Sequence, residues 1–380
     1  MKVWSDRVLL NGALQPAALE TDGETIRRVT LRERPEHDER NLSGLRLVPG
    51  LIDSHIHGCA GADTMDCSYD ALEEMSRYLV RHGVTSFCPT TVTAPLDKTE
   101  AALRCVSGAM GRGVSGARIL GSYAEGPYIT REHKGAHPEE YIREIDLAEI
   151  ERLIQASEGT LRTMILAPEK PGAGEAIALL QAHGVRVSLG HSSAAQAEVE
   201  AALAGGADTV VHLYNGMAPL HHRNAGLLGT GLVRSCYTEL ICDGFHVKSL
   251  PIQIAARCKA EDRIILITDC MRAGGMADGD YMLGELAVRV RDGAAYLRDG
   301  DSLAGSTLSL DRAVQNFQTL GAVSFERAVR SATENPAAAL GLSDRIGSLL
   351  PGRLADIVGL DEAGCVRFAA VGGRVCADEA

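Results

Sequence analysis

The chain has 380 residues, 45% of them hydrophobic and 23% charged, with aromatics at only 4%, a composition that suits one large domain with a small companion. With 38 basic against 50 acidic residues the formal net charge is −12, which excludes general attraction to nucleic acid or to an anionic membrane surface and leaves any anionic substrate to be captured by a few local cations. No run of about 18 apolar residues offers a membrane span, and Met1–Asp6 lacks the apolar core of a signal peptide, so a cytoplasmic location is expected.

Residues 1–48 are short β-like pieces joined by charged turns such as Arg32-Glu33-Arg34-Pro35-Glu36-His37-Asp38, with no helical period. A similar texture returns in the strand-like stretches 354–360 and 365–371. The two ends are therefore expected to pair as one small β domain, residues 1–48 with 348–380, beside a catalytic domain over 49–347.

The texture changes at Val48-Pro49-Gly50. A strand beginning at Leu51 carries His55 and His57 at its end. Ser68 caps a helix whose apolar residues Leu72, Met75 and Leu79 recur at helical spacing, and Gly83 ends it. Further strands are predicted at 84–92, 118–124, 161–167, 185–190, 209–211, 239–242 and 263–268, with helices at 97–110, 146–156, 174–183 and 194–204 between them. About eight strands alternating with helices over roughly 300 residues predict an α/β fold of the (β/α)8 TIM-barrel type. The ten cysteines include no C-x-x-C pair and read as reduced, mostly buried small hydrophobes.

His55, His57, Glu125, His191, His212 and Asp269 all fall at the C-terminal ends of these strands. In a parallel barrel those ends converge on the face that carries catalytic groups. Residues i and i+2 of an extended strand share a face, so His55 and His57 aim at one centre. The set holds ligands enough for two metals, with Glu125 bridging through its two oxygens, and it equally suits one metal beside an unused half-site. Such imidazole and carboxylate donors fit a divalent metal, zinc first, with iron, cobalt, manganese and nickel also compatible. Asp269 reads either as a helix N-cap or, in this company, as the general base that takes a proton from metal-bound water and returns it to the leaving group.

Two loops offer substrate contacts. Asn215, Gly216 and Arg223, shortly after His212, combine an amide, a flexible glycine and a guanidinium, a set suited to phosphate or carboxylate. Lys134-Gly135-Ala136-His137-Pro138 brings His137 over the site as an electrophile, and His246 follows another strand end. An ordinary polar loop with a solvated histidine is the plain alternative for each.

Several motifs then resemble a known family. Pro49-Gly50-Leu51-Ile52-Asp53-Ser54-His55-Ile56-His57-Gly58, Glu125-Gly126-Pro127, Lys134-Gly135-Ala136-His137-Pro138, Gly190-His191-Ser192, His212-Leu213-Tyr214-Asn215-Gly216-Met217, Asp243-Gly244-Phe245-His246-Val247, Thr268-Asp269 and Leu303-Ala304-Gly305-Ser306 run in the order found in the N-acetylglucosamine-6-phosphate deacetylases of the amidohydrolase superfamily. The resemblance extends from about residue 48 to residue 358. It implies Glu125, His191 and His212 as ligands of a primary metal, and His55 and His57 as ligands of a second metal found in some members. It further implies Asp269 as general base and acid, and His137 as the group that polarises the acetyl carbonyl. Asn215, the Gly216 backbone, Arg223 and His246 fall to the sugar-phosphate site, with Arg223 reaching the neighbouring active site of a homodimer. The implied reaction is hydrolytic deacetylation of a small phosphorylated amino sugar, with no nucleic-acid or membrane partner.

The sequence departs from the family at Gly216, where alanine is common, and at Cys270-Met271-Arg272, where many members have small residues. Arg272 is expected to add positive charge near the site. Cys270 is either open to thiol reagents or a buried, inert thiol. The rival readings are the galactosamine epimer as substrate, another amidohydrolase acting on a cyclic amide or nucleobase, and a non-catalytic barrel scaffold. No lysine ends a strand near Glu125 to bridge two metals, which counts against the cyclic-amide reading, and retention of the whole ligand set counts against the scaffold.

Overall fold

In the computed structural model, which describes residues 1–300 and 302–380, the alternation that begins at residue 51 winds into a parallel barrel. Its staves are Leu51–Ile56, Val84–Thr91, the paired pieces Arg118–Ile119 and Ser122–Ala124, Leu161–Leu166, Arg186–Leu189, Thr209–Val210, Tyr237–Ile241 and Ile264–Ile267. Each is hydrogen-bonded in parallel to the next. Such staves are covered on both faces, and Ile264-Ile265-Leu266-Ile267 is accordingly apolar and buried throughout. Between the last stave and the first, the Thr268 N–H and hydroxyl donate to the Asp53 carboxylate at 3.3 and 2.6 Å. The Asp269 N–H adds a bond to the His55 carbonyl at 3.0 Å.

The third stave, expected as one strand over 118–124, is broken at Leu120-Gly121. A Cβ on Gly121 would stand 2.4 Å from the Thr160 carbonyl oxygen and from the Arg162 side chain, so only glycine fits where the backbones crowd. The helix after the first stave spans Tyr69–Arg81 and starts as expected, with the Ser68 hydroxyl accepting the Ala71 N–H at 3.1 Å. Leu72, Met75 and Leu79 lie on its buried face, and losing such a cap costs about 1 kcal/mol.

The chain ends form a separate sheet in the order Arg374–Asp378, Val366–Val371, Ile357–Leu360, Arg46–Pro49, Lys2–Leu10, Ala13–Asp22 and Thr25–Leu31, with Arg40–Asn41 also beside Lys2–Leu10. Arg46–Pro49 leads directly into the first barrel stave, which fixes the sheet to the barrel. A three-stranded antiparallel sheet, Gly279–Leu283, Leu286–Arg291 and Ala294–Leu297, was not anticipated from sequence. Its Leu283, Val288, Val290 and Ala295 pack on Met271, Ala273 and Ala304, over the loop that follows Asp269. The ten cysteines are free thiols, of which Cys258 and Cys365 are exposed. No helix among the described residues is long and apolar enough to cross a membrane.

Candidate metal centre

His55 lies in the first stave and His57 directly after it, Glu125 follows Ser122–Ala124, and His191, His212 and Asp269 each stand two residues past a stave. The last three turn inward on a left-handed backbone, with φ of 48°, 27° and 49°. That conformation is uncommon for a histidine and costs on the order of 1–3 kcal/mol, so it persists only where the surroundings hold it. All six side chains are buried.

Glu125 stands between two pairs of imidazoles. Its Oε1 lies 3.2 Å from His191 Nε2 and 3.1 Å from His212 Nε2. Its Oε2 lies 3.0 Å from His57 Nε2 and 3.7 Å from His55 Nε2. Asp269 closes the far side, with Oδ1 3.1 Å from His57 Nε2 and 3.8 Å from His55 Nε2. The arrangement is two triads, His55–His57–Glu125 and Glu125–His191–His212, in each of which the ligand atoms lie within 4.8 Å of one another.

The outer ring nitrogens set the chemistry of the inner ones. His57 Nδ1 donates to the Thr90 carbonyl at 3.2 Å, His191 Nδ1 to the His133 carbonyl at 2.7 Å and His212 Nδ1 to the Asn215 carbonyl at 3.0 Å. A carbonyl only accepts, so each Nδ1 carries the proton and each Nε2 turns a lone pair inward. His191 Nε2 and His212 Nε2 then face each other at 3.0 Å, and His55 Nε2 is buried with no hydrogen-bond partner among the described residues. Converging lone pairs and an orphaned buried nitrogen are costly unless a cation stands among them. An all-nitrogen-and-oxygen donor set is what zinc and its neighbours take, so these residues fit a divalent metal. Without a cation, protons on the imidazoles take over that positive charge. Burial pushes the His57 imidazole down, yet Asp269 and Glu125 hold it up at about 10. Burial pushes the Glu125 carboxyl up, and His55, His137, His191 and His212 together draw it well below its usual range. Both groups favour positive charge at the middle of the cluster.

His57, Glu125, His191, His212 and Asp269 line a cavity of about 290 Å³ together with His137, Asn215, Gly216 and His246, while His55 lies outside its lining. The Thr93 N–H donates to His137 Nδ1 at 3.2 Å, and burial, against the pull of Glu125, lowers His137 to about 4. His137 is thus neutral with its proton on Nε2, which lies 3.6 Å from Glu125 Oε2. His246 is anchored through Nδ1 to the Asp243 carboxylate at 2.6 Å. Gly216 has φ of 60°, and a Cβ there would stand 3.0 Å from His191 Nδ1, so a side chain would press on the His191 ring.

Arg223 is not brought to this cavity within its own chain; it sits on an exposed loop beside His222. The expectation for Arg272 is corrected. Its guanidinium bonds to the Gly61 and Met282 carbonyls at 3.1 and 3.0 Å and to Asp66 at 2.7 Å, so its charge is spent on the surrounding loops. Cys270 is buried, and burial pushes its thiol well up, the inert alternative. Sequence reasoning missed Thr93, Tyr123 and Glu239. The available signal for Glu239 was a lone carboxylate inside the buried strand Tyr237–Ile241.

A parallel barrel whose strand ends carry a buried double cluster of histidines on a shared glutamate defines a class, the metal-dependent hydrolases of TIM-barrel type. Residues 46–376 match the family model described as the amidohydrolase family, and the chain belongs to that family of metal-dependent enzymes and is a hydrolase. It is 45% identical over 380 residues to the N-acetylglucosamine-6-phosphate deacetylase of Vibrio furnissii, covering 99% of this chain and 95% of that one. It is 47% identical over 316 residues to the N-acetylgalactosamine-6-phosphate deacetylase of Escherichia coli O157:H7, covering 83% of each. Among solved structures it resembles a mutant N-acetyl-D-glucosamine-6-phosphate deacetylase from Mycobacterium smegmatis in complex with N-acetyl-D-glucosamine 6-phosphate, with a TM-score of 0.94, 32% identity and 99% of each chain covered.

Proposed function

We propose that this hydrolase removes the acetyl group of N-acetylglucosamine 6-phosphate, giving glucosamine 6-phosphate and acetate. The observation that carries the reading is one cavity in which the Glu125 cluster, the neutral His137 and the Asp269 carboxylate all meet. Glu125, His191 and His212 would hold a first metal, and His55 and His57 with Glu125 would offer a place for a second. A divalent metal bound there, zinc foremost, supplies the Lewis acidity that polarises an amide carbonyl and acidifies a water. Asp269 accepts the proton that the attacking water loses. As the C–N bond breaks, it delivers that proton to the departing amine nitrogen. His137 donates its Nε2 proton as a hydrogen bond to the acetyl oxygen as negative charge develops there, a role that its neutral state permits.

Asn215, the Gly216 N–H and His246 take the sugar phosphate. Arg223 completes that set from the partner subunit of a homodimer, which accounts for capture of an anion by a protein of net charge −12. The reading includes a cytoplasmic location and a small β domain of residues 1–48 and 348–380 supporting a catalytic barrel of 49–347. A second reading, the galactosamine epimer as substrate, is favoured by the 47% identity to the Escherichia coli relative.

The test is a kinetic comparison of both 6-phosphates with unphosphorylated N-acetylglucosamine. The expected kcat/KM is highest for N-acetylglucosamine 6-phosphate and lower by about 10²-fold or more for the unphosphorylated sugar. A higher value for the galactosamine phosphate would move the assignment to the second reading. Equal rates with and without phosphate would remove the phosphosugar assignment.

A further inference from the structure

We propose that Glu239 is the positioning residue of the His55–His57 half of the centre, fixing His55 with its proton on Nδ1 and lending that half the negative charge that draws a second cation. Glu239 stands in the middle of the stave Tyr237–Ile241, below the strand ends where the ligands gather, and is 3% exposed. A carboxylate placed there is expensive to bury unless each oxygen is engaged. Both are. Oε2 accepts from His55 Nδ1 at 3.0 Å, and Oε1 accepts from the Tyr123 hydroxyl at 3.3 Å. The Tyr123 ring also packs against the His55 ring, with centroids 4.7 Å apart, so both members of the pair are held from one side.

This support differs in kind from that of the other ligands. His57, His191 and His212 rest their Nδ1 protons on neutral backbone carbonyls, whereas His55 rests its own on an acid. A carboxylate behind a histidine fixes its tautomer and raises the basicity of the opposite nitrogen, which makes a stronger ligand. That opposite nitrogen, His55 Nε2, is the orphan of the site. It lies 3.7 Å from Glu125 Oε2 and 3.8 Å from Asp269 Oδ1, too far to bond either, with its lone pair directed among them. The ordinary alternative is a purely structural pairing of Glu239 with His55, which would affect the stability of the barrel and leave metal uptake alone.

The inference rests on the metal-dependent reading of the centre and is independent of the substrate. Chelator-stripped protein titrated with Zn²⁺ by calorimetry, with bound metal counted per chain, separates the alternatives. The expected result is two equivalents for the wild type. Glu239→Gln keeps an acceptor for His55 without the charge and weakens the second equivalent about tenfold; Glu239→Leu weakens it about 100-fold. The first equivalent is unchanged in both, and Tyr123→Phe gives a smaller loss than Glu239→Gln. Equal affinity for the second equivalent in wild type and Glu239→Leu would overturn the proposal. So would a wild type that takes a single equivalent, or a Glu239→Gln variant that loses both equivalents together, which would make Glu239 a residue of the fold. A wild type that takes up no metal would overturn the underlying reading as well, so the two failures are distinguishable.

Discussion

The two halves of the centre share Glu125 but are built on different backbone. His55 and His57 come from one strand and its immediate extension, and their outer nitrogens rest on the barrel itself, on the Thr90 carbonyl and on Glu239. His191 and His212 come from left-handed turns beyond two separate staves, and theirs rest on loop carbonyls, of His133 and Asn215. The loop glycines Gly135 and Gly216 press close to the His191 ring, with built Cβ positions 3.3 and 3.0 Å away. The loops that support this half also carry His137, Asn215 and Gly216, which line the cavity. One half is therefore set by the barrel core, and the other is tied to the loops that line the cavity.

The comparison can be broken at its shared point. Glu125→Ala removes the carboxylate both halves use, and should cost both metal equivalents and on the order of 10⁴ in turnover, read by metal analysis and kcat. Retention of one equivalent would mean that the halves are less dependent on Glu125 than their geometry implies. Asp269→Asn, which preserves size, should leave metal content near that of the wild type and lower kcat about 10³-fold. Near-normal turnover would remove Asp269 from the role of base. Arg223→Ala should raise KM for the phosphorylated sugar about 10²-fold and leave the unphosphorylated sugar unaffected; equal effects on both would take Arg223 out of the phosphate site. The mildest change is expected for His57→Ala, which should lose the second equivalent alone and reduce turnover about tenfold, while His212→Ala loses the first. A larger loss of turnover in His57→Ala than in His212→Ala would invert the ranking of the halves.

The barrel was legible in the sequence, and its candidate ligands stood out because each falls at the end of a strand-like run. A polar residue just past a buried strand stands out, as Asp269 does after Ile264-Ile265-Leu266-Ile267. The sheet of the chain ends was legible from texture alone, apart from Arg374–Asp378, whose exposed alternation gives little signal. Glu239 was not legible as a site residue, because whether a mid-strand side chain points into the barrel is fixed only when the staves close and their register is set. Arg272 was misread because the groups that take up its charge lie far from it in sequence: the guanidinium meets the Gly61 carbonyl and Asp66, 211 and 206 positions away. The antiparallel insert over 279–297 was missed because its strands are short and only partly buried.

The seam at Asp53 and Thr268 joins residues 215 positions apart in sequence. On a ribosome adding about 5–20 residues per second, the opening stave waits on the order of tens of seconds for its last neighbour. Late in that interval, once His212 has emerged, the polypeptide contains both metal-binding triads while Asp269 has not yet been synthesised. The carboxylate that closes the far side of the cluster therefore arrives late in translation, with the segment that completes the ring, so the centre and the barrel are finished together.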